Sequence, residues 1–446
     1  MIKRGVIKEL EKWSQKKNRK PLIIRGARQV GKTTVINLFA QKFKQYIYLN
    51  LELPGDRQPF LQFTNIDTLA QSLFFLKNMR YEQRAETLIF IDEIQEAPEA
   101  MNLLRYFYEQ MPEISIIAAG SLLETIFNQN LNFPVGRVEF LVVRPVSFIE
   151  FLDALGEHSA IEQLQQIPFN DFAQDKLMQL FHTYALIGGM PEIVNEYAAN
   201  RDLTALGSLY EGLLTTYIDD VEKYAGGNQV NVMRHTIKSV FLEAGRRIKF
   251  QHFGNSNYGS KEMGEALRTL EKTMLITLLY PLTNAQLPAL PNHKKSPRLQ
   301  VLDTGLMNYL LQIQKEIIRT EDLQQVYEGT MIEHLAGQEL LAQQYNALST
   351  LYFWVREKNT SNAEVDYIYP YEGKLIPIEV KSGKEGTLRS LHQYMNTAPH
   401  DKAVRLYSGK LKITTITTQE NKTFQLLNLP YFLTSEIEAY LKWFVG

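Results

Sequence analysis

The chain has 446 residues, a formal charge of −1, 45% hydrophobic and 22% charged residues, and no cysteine. Its length exceeds the limit of about 300 residues for one hydrophobic core, so we expect about three folding units. The missing cysteine excludes disulfides and thiolate zinc sites, and the near-neutral charge gives no global argument for binding nucleic acid. Residues 1–20 lack a long apolar core and no run is long enough to span a membrane, so we expect a cytoplasmic protein without a membrane anchor.

A phosphate-binding loop follows the first predicted strand. The apolar residues 22–24 lead into the pattern Gly-x-x-x-x-Gly-Lys-Thr at residues 26–33, and a helix is predicted after it. Glycines let backbone N–H groups surround phosphates, and the helix N-terminus adds its positive end. Lys32 is expected to reach the β- and γ-phosphates, and the Thr33 hydroxyl to hold Mg²⁺. The predicted nucleotide-binding residues of this loop are Gly26, Gly31, Lys32, Thr33 and Thr34.

Two acids end the next apolar strand, residues 88–91. In α/β proteins ligands bind beyond the C-terminal ends of parallel strands. We predict that Asp92 completes the Mg²⁺ shell and that Glu93 polarises the attacking water. A solvated strand end is the alternative, but the preceding phosphate-binding loop favours a site.

A third predicted strand, residues 114–119, ends in Gly-Ser. Ser121 is our candidate for sensing the γ-phosphate, although Gly-Ser also makes an ordinary turn. Arg137 follows, and it is our candidate for stabilising transition-state charge on the nucleotide of a neighbouring subunit. A surface salt bridge or a clamp between domains is the alternative for Arg137. The inter-subunit role would require a homo-oligomer.

Five stretches together resemble a family of prokaryotic AAA-type ATPases with an uncharacterised C-terminal domain: GARQVGKTT, FIDEIQ, AAGS, GRVEFLVVRPVSFIEFL and IGGMPEIV. The family's GGxPE motif matches residues 188–192, and its Asp-Thr-Gly-Leu motif matches residues 303–306. The resemblance covers essentially the whole chain. It implies binding and hydrolysis of ATP, and it supplies neither a substrate nor a biological role.

The middle of the chain is predicted to be helical. After the ATPase core, residues 1–155, we expect a helical lid at 156–228 and a winged helix at 229–285. Lys261, Arg268 and Lys272 of the winged helix are candidates for DNA phosphate contacts, and a plain interdomain strut is the alternative. A proline-rich linker, 286–325, carries Lys294, Lys295 and Arg298.

The C-terminal region, 326–446, contains a predicted β-hairpin with strands at 367–369 and 375–380. Alternation places Glu379 and Lys381 on one face. If Glu372-Gly373 forms a two-residue turn, Asp366 lies across from Glu379 and Glu364 across from Lys381, with Cβ atoms ~5 Å apart. Glu-Gly is not the favoured Asn-Gly pair, so a longer loop with a shifted register is the alternative.

This arrangement resembles the metal site of restriction-endonuclease-like folds, an acid followed after a spacer by Glu-x-Lys. The resemblance implies that Asp366 and Glu379 hold Mg²⁺ and that Lys381 steadies the attacking water or the developing phosphate charge. The preceding helix offers Glu333 or Glu339 as a further ligand, and we prefer Glu333. Ordinary sheet decoration is the alternative, since Glu-x-Lys also occurs without a role at residues 372–374.

We therefore predict an α/β protein with a three-layer P-loop AAA-type core, a helical lid, a winged helix and a restriction-endonuclease-like C-terminal domain. ATP and Mg²⁺ are the expected cofactors, and DNA is a candidate partner. Two functions compete. In one, ATP turnover controls a Mg²⁺-dependent nuclease; in the other, the chain is a nucleotide-controlled switch or scaffold whose C-terminal domain binds without cutting.

Overall fold

The computed structural model describes residues 2–120, 136–222, 229–314, 329–358, 361–381, 383 and 387–446. The chain divides into two compact units. The N-terminal unit consists of Arg4–Arg144 and Gln344–Ser349; the C-terminal unit consists of Met1–Lys3, Pro145–Gln343 and Thr350–Gly446. We expected about three units from chain length. The segments after Arg144 that were predicted as separate domains belong to one unit, because they share a sheet and buried polar contacts, described below.

A five-stranded parallel sheet is the centre of the N-terminal unit. Its strand order is β2-β3-β4-β1-β5, so β4 lies between the two strands that end in predicted site residues. The strands β3 and β4 are buried along their whole length, as their continuous apolar sequences predict for a parallel sheet. The strands are β1 Leu22–Arg25, β2 Gln45–Asn50, β3 Thr87–Asp92, β4 Ser115–Ala119 and β5 Glu139–Val142. The helices are α1 Val6–Ser14, α2 Lys32–Ala40, α3 Pro54–Gln62, α4 Ile66–Leu76 and α5 Pro98–Gln110.

Helices form the first part of the C-terminal unit. The helix α6, Phe148–Ala154, begins at a capping box in which the Ser147 side chain accepts from the Glu150 N–H and the Glu150 side chain accepts from the Ser147 N–H. The helices that follow are α7 His158–Gln165, α8 Gln174–Ile187, α9 Pro191–Asn200, α10 Gly207–Glu222, α11 Gln229–Leu242 and α12 Ser260–Lys272.

Three short strands come next: β6 Ile276–Leu279, β7 Pro281–Leu282 and β8 Arg298–Val301. The strand β8 pairs antiparallel with β6, and Arg298 also forms an isolated bridge with Arg247. The order of helices and strands agrees with our prediction for residues 229–285, whereas the winged-helix assignment stays a prediction. The range 286–325 was predicted as a linker, yet it contains buried β8 and the helix α13, Thr304–Leu310. Four residues of strand after a proline-rich stretch give a weak signal in sequence.

A seven-stranded mixed sheet forms the rest of this unit, with strand order β13-β14-β12-β11-β10-β9-β7. Its other strands are β9 Tyr352–Lys358, β10 Ser361–Tyr371, β11 Lys374–Val380, β12 Lys402–Tyr407, β13 Lys412–Thr417 and β14 Thr423–Pro430. The helices of this region are α14 Gly329–Ala342, α15 Arg389–Thr397 and α16 Ile437–Val445. The mixed α/β class with a parallel sheet is thus confirmed, and the restriction-endonuclease-like assignment stays a prediction.

The β10–β11 hairpin has the predicted register. Tyr367 lies opposite Ile378 and Tyr371 opposite Lys374, so Glu372-Gly373 is a two-residue turn. Both turn residues have positive φ, +43° for Glu372 and +75° for Gly373, which is typical of a type I′ turn. The longer-loop alternative is excluded. The backbone pairing ends at Tyr367, one position before the predicted pair of acids.

The two family-like motifs of the middle region meet inside the C-terminal unit. Asp303 caps α13 by accepting the Leu306 N–H at 3.1 Å, and its other oxygen accepts the Gly189 N–H at 2.6 Å. Gly188 has φ +75°, and a Cβ there would lie 2.2 Å from Asp303 Oδ1. A Cβ on Gly305 would lie 2.0 Å from the Ile187 carbonyl oxygen. Glycine is therefore required where α13 meets the end of α8.

No helix within the described ranges is long and apolar enough to cross a membrane.

Candidate functional sites

The phosphate-binding loop connects β1 to α2 in the N-terminal unit. Gly31 has φ +90°, a left-handed conformation that favours glycine. The Lys32 ammonium is buried and donates hydrogen bonds to the carbonyl oxygens of Gly26 and Ala27, both at 3.0 Å. Burial lowers the pKa of Lys32, and Glu93 and Asp92 oppose this shift. The loop thus holds a cation that a phosphate group would attract away from neutral carbonyls.

Thr33 and Asp92 are in direct contact beside this loop. The Thr33 hydroxyl donates to Asp92 Oδ2 at 2.7 Å. The Tyr48 hydroxyl on β2 donates weakly to the same oxygen at 3.4 Å. Burial raises the pKa of Asp92 and the Thr33 hydrogen bond lowers it in part; burial, and then Asp92, raise the pKa of Tyr48 to about 12. A hydroxyl and a carboxylate in contact are oxygen ligands of the kind that Mg²⁺ prefers.

Glu93 has an unusual backbone conformation. Its φ of +52° and ψ of +46° lie in the left-handed region, which is uncommon for a residue other than glycine. Its N–H donates to Asp92 Oδ1 at 3.1 Å, and its Oε2 accepts from Gln95 Nε2 at 2.5 Å. Local backbone strain of this kind is often found at functional sites.

Two contacts brace the loop from outside the motif. A Cβ on Gly26 would lie 2.4 Å from the Val143 carbonyl oxygen, so this glycine is required for close approach of the backbone. The buried Arg4 donates through Nη1 to the Val30 carbonyl at 3.0 Å. Sequence reasoning missed Arg4, Tyr48 and Gln95, because each reaches the site through tertiary structure or lies outside the motif spacing.

The remaining predicted nucleotide-site residues are placed as follows. Thr34 lies in the first turn of α2 and is exposed. Arg137 is partly exposed, and its Nε donates to Glu109 Oε1 at 2.9 Å, an ion pair within the N-terminal unit. Ser121 lies outside the described residues.

A second candidate site lies in the C-terminal unit, at the end of the β10–β11 hairpin. Asp366 Oδ2 accepts the Val380 N–H at 2.8 Å, so the carboxylate replaces the next backbone pair of the ladder. Glu379 is buried; its Oε1 accepts from Lys381 Nζ at 2.7 Å, and its Oε2 has no partner among the described residues. We refer to Glu333, Asp366 and Glu379 as the carboxylate cluster.

All three acids of the carboxylate cluster have raised pKa values, and burial is the largest cause in each. Burial and the neighbouring Asp366 raise the pKa of Glu379 to about 8, and Lys381 opposes this. Burial and Asp366 also raise the pKa of Glu333 to about 7, against Arg298 and Lys381. Burial raises the pKa of Asp366, and Arg298 lowers it in part. Asp366 thus raises the pKa of both glutamates in a poorly solvated place, an electrostatic arrangement that is common among ligand-binding acids.

Arg298, predicted to lie in a linker, is buried beside this cluster. Its Nη1 donates to the Asp366 carbonyl oxygen at 2.9 Å, and its Nη2 contacts the Glu364 carboxylate and lies 3.6 Å from Asp366 Oδ1. Glu364 was expected across from Lys381, whereas its carboxylate pairs with Arg298 and Arg247. Burial alone would lower the pKa of Arg298, and Asp366 and Glu364 more than offset this and raise it.

Glu339, the second acid that we considered on α14, serves elsewhere. Its carboxylate accepts the Phe148 N–H at 3.1 Å and the Tyr184 hydroxyl at 2.6 Å. Of these two acids of α14, Glu333 is therefore the one whose pKa is raised by Asp366. Even so, in the part of the chain that the structure describes, no three acidic or histidine side chains are placed as a ready metal-binding group.

Comparisons with known sequences give three matches in succession along the chain. Residues 18–152 match the family model of an AAA domain. Residues 178–317 match a domain of unknown function, DUF8612, and residues 328–432 match another, DUF4143. No curated protein matches the chain.

Solved structures give distant similarities. A Walker-type ATPase of Pyrococcus abyssi is 14% identical, with 70% of this chain and 96% of that chain covered and a TM-score of 0.46. A signal-transduction ATPase with a tetratricopeptide-repeat sensor from Pyrococcus horikoshii is 13% identical, with 77% and 48% covered and a TM-score of 0.29. Pif1 helicase from Candida albicans is 13% identical, with 40% and 48% covered and a TM-score of 0.22. Scores of this size do not establish a common fold for the whole chain. The match to the AAA domain, together with the loop geometry, supports an AAA-type P-loop ATPase that binds and hydrolyses ATP.

Proposed function

We propose that the protein is a Mg²⁺-dependent ATPase whose active residues are those of the N-terminal unit. The observation that carries this proposal is the 2.7 Å contact between Thr33 and Asp92, beside the buried ammonium of Lys32. The donor set suits a nucleotide with its metal ion: one cation for the phosphates and two oxygen ligands for Mg²⁺.

Each residue has a distinct role in this proposal. Lys32 exchanges its carbonyl partners for the phosphates, while the N–H groups at the start of α2 bind the same oxygens. Thr33 and Asp92 hold Mg²⁺, which neutralises phosphate charge when bound. Glu93 accepts a proton from the attacking water, and its left-handed backbone, with the Gln95 hydrogen bond, fixes the carboxylate for that task. The remaining members of the predicted nucleotide-binding set are Gly26, Gly31, Thr34 and Ser121.

Steady-state release of phosphate from ATP tests this function. Lys32→Ala is expected to abolish ATP binding, and Glu93→Gln to bind ATP with turnover reduced by about 100-fold or more. The matched control is Glu96→Gln, an exposed acid three residues further on, which is expected to leave turnover unchanged. Undiminished turnover in Glu93→Gln would overturn the role of Glu93.

Arg137 retains its proposed role of completing the site of a neighbouring subunit in a homo-oligomer. Its pair with Glu109 is an exposed ion pair, which contributes little to stability. Arg137→Ala is therefore expected to reduce turnover without unfolding the protein. If the rate of turnover per protein molecule rises with protein concentration in the wild type, and not in Arg137→Ala, the inter-subunit role is supported.

A second function concerns the carboxylate cluster. We propose that Asp366 and Glu379, with Glu333, take a divalent cation, and that Lys381 assists cleavage of a nucleic-acid phosphodiester. The observation in favour is the buried oxygen Oε2 of Glu379, which has no partner among the described residues. The neighbouring Asp366 also raises the pKa of Glu379. Mg²⁺ suits this donor set in kind, because three carboxylates are hard oxygen ligands.

Incubation with single-stranded, duplex and branched DNA, with Mg²⁺ or Mn²⁺, tests the second function. Cleavage that is lost in Asp366→Ala supports a nuclease at the carboxylate cluster. In this proposal, Lys261, Arg268 and Lys272 of the proposed winged helix hold part of the DNA. Cleavage that persists in Asp366→Ala contradicts this site. DNA binding without cleavage favours the alternative, a nucleotide-controlled switch or scaffold. We place either function in the cytoplasm, in keeping with a chain that has no cysteine.

A further inference from the structure

The guanidinium of Arg298 occupies an enclosed position next to the carboxylate cluster. Its side chain is 4% exposed, and its carbon Cζ lies 5.0 Å from the ring centre of Phe353 and 5.8 Å from that of Tyr367. These rings and the contacts with Glu364 and Asp366 fix the plane of the guanidinium. A charge so deeply buried needs carboxylate partners, which are the half-buried Glu364 and the buried Asp366.

The charges around Arg298 differ in their access to the cluster. Arg247 pairs with Glu357 at 2.8 Å and with Glu364 at 3.6 Å, and Lys295 pairs with Glu357. Arg298 is the residue of this group that reaches Asp366, through both its carbonyl oxygen and its carboxylate. Arg298 therefore places its positive charge beside the Asp366 carboxylate, which is a ligand that a metal ion in the cluster would need.

Two cations cannot use the same carboxylate without cost. A divalent ion bound to Asp366 would stand a few ångströms from the guanidinium in a poorly solvated place, where repulsion between like charges is strong. Glu379 bonds Lys381 through Oε1, whereas its Oε2 has no partner among the described residues, so neither Arg298 nor Lys381 occupies that oxygen. In the carboxylate cluster, Asp366 is thus in contact with Arg298, while the Oε2 atom of Glu379 is available to a cation.

We propose that Arg298 is an internal cation that competes with divalent metal ions for Asp366 in the carboxylate cluster. This inference rests on the second function proposed above. Arg298 lies on β8, in the residues that match the second family model, whereas the cluster lies in the residues that match the third. Metal binding by one matched region is then controlled by a side chain of the other.

Titration of the full-length protein with Mn²⁺ alone, followed by calorimetry and by the melting temperature, tests the proposal. All proteins carry Asp92→Asn, so that the nucleotide site does not contribute. Arg298→Gln is expected to bind Mn²⁺ at least ~10-fold more tightly than its parent, because a buried positive charge is removed. Arg298→Lys, which keeps the charge, is expected to lie between the two. The matched control is Arg247→Gln. It removes an equal charge from a more exposed arginine that pairs with Glu357 and Glu364, and it is expected to change the affinity less than ~3-fold.

A second substitution identifies the site. Adding Glu379→Gln to Arg298→Gln is expected to abolish the gained affinity. Should Arg298→Gln fail to fold alone, Mn²⁺ is expected to restore its melting transition, and not that of the double variant; no restoration overturns the proposal. It is also overturned if Arg298→Gln binds Mn²⁺ no better than its parent, or if Arg247→Gln gains equally. If the parent binds Mn²⁺ through Glu379 and Arg298→Gln adds nothing, this inference alone fails; if no variant binds Mn²⁺, the metal site fails with it.

Discussion

The side-chain nitrogen Nε2 of Gln95 lies 2.5 Å from Oε2 of Glu93, two residues earlier in the chain. The amide therefore binds the carboxylate that we propose as the general base. The amide oxygen of Gln95 is buried and has no partner among the described residues, so no further bond ties this side chain to the fold there.

Gln95→Ala is expected to lower kcat for ATP hydrolysis by about 10-fold and to leave KM for ATP unchanged. A hydrogen bond to a charged group contributes about 1.5–3 kcal/mol, and its loss frees the Glu93 side chain to leave the orientation needed for water activation. The matched control is Gln71→Ala, since Gln71 makes the same kind of bond with Asp67 on the exposed face of α4. An unchanged kcat, or a change confined to KM, would contradict the role of Gln95.

The buried carboxyl of Glu339 is expected to make stability depend on pH. Burial raises its pKa from an ordinary value near 4.5 to about 7, with Tyr184 and Phe148 opposing the shift. Between these values the folded state keeps the proton that the unfolded chain releases, so this contribution is complete below the lower pKa and is lost as pH rises through the upper one. At ~1.4 kcal/mol per pKa unit, the loss reaches about 3 kcal/mol.

Glu339→Gln removes this titration. Urea unfolding at about pH 5 and about pH 8 is expected to show a smaller loss of stability in Glu339→Gln than in the wild type. The control is Glu211→Gln, an exposed acid of α10, which is expected to behave as the wild type does. An equal loss in the wild type and in Glu339→Gln would show that Glu339 is ionised in the folded protein throughout this range.

Gly188→Ala is expected to destabilise the protein by about 2–4 kcal/mol, because a Cβ would meet Asp303 and the backbone has positive φ. The measurement is the free energy of unfolding in urea. Gly212→Ala is the control: a Cβ there has no heavy atom within 4 Å, and the residue lies inside α10. This control is expected to be neutral or to stabilise by up to ~1 kcal/mol. Equal effects at the two glycines would rule out the close packing of Asp303 as the cause.

The turn of the β10–β11 hairpin offers a stabilising substitution. Glu372 has φ +43° and bears a side chain that disfavours this conformation, whereas asparagine tolerates it. Glu372→Asn is expected to raise the free energy of unfolding by about 0.5–1 kcal/mol. Glu372→Val, which places a β-branched residue at the same φ, is expected to lower it. The two variants should therefore shift the melting temperature in opposite directions, and a shift in the same direction would contradict the turn geometry.

The elements predicted well from sequence are those with local causes. The strands β1, β3 and β4 are continuous apolar runs that end in glycine or acid, and the hairpin register follows from a two-residue turn between alternating strands. Thr33 and Asp92, 59 residues apart, come together because the motif spacing and the strand ends both point to one edge of a parallel sheet.

Other features depend on pairing that no local pattern records. Arg298 follows a proline-rich stretch and has the composition of a linker, yet the pairing of β8 with β6 carries it into the interior. Arg4 precedes the first helix and still reaches the phosphate-binding loop. Gln95 lies next to a recognised acid, but its contact depends on the left-handed backbone of Glu93, which sequence spacing does not reveal.

The position of β7 and β8 bears on how the C-terminal region can be produced as a fragment. A fragment that begins at residue 326, where the sequence suggested a boundary, would lack the edge strand β7 and the arginine that neutralises Glu364 and Asp366. It would leave the edge of β9 open to pairing with other chains, and it would leave Glu364 and the buried Asp366 without the guanidinium of Arg298. A fragment intended for biochemical study should therefore begin before α6, so that β7, β8 and the helices that contact Glu339 and Asp303 all accompany the sheet.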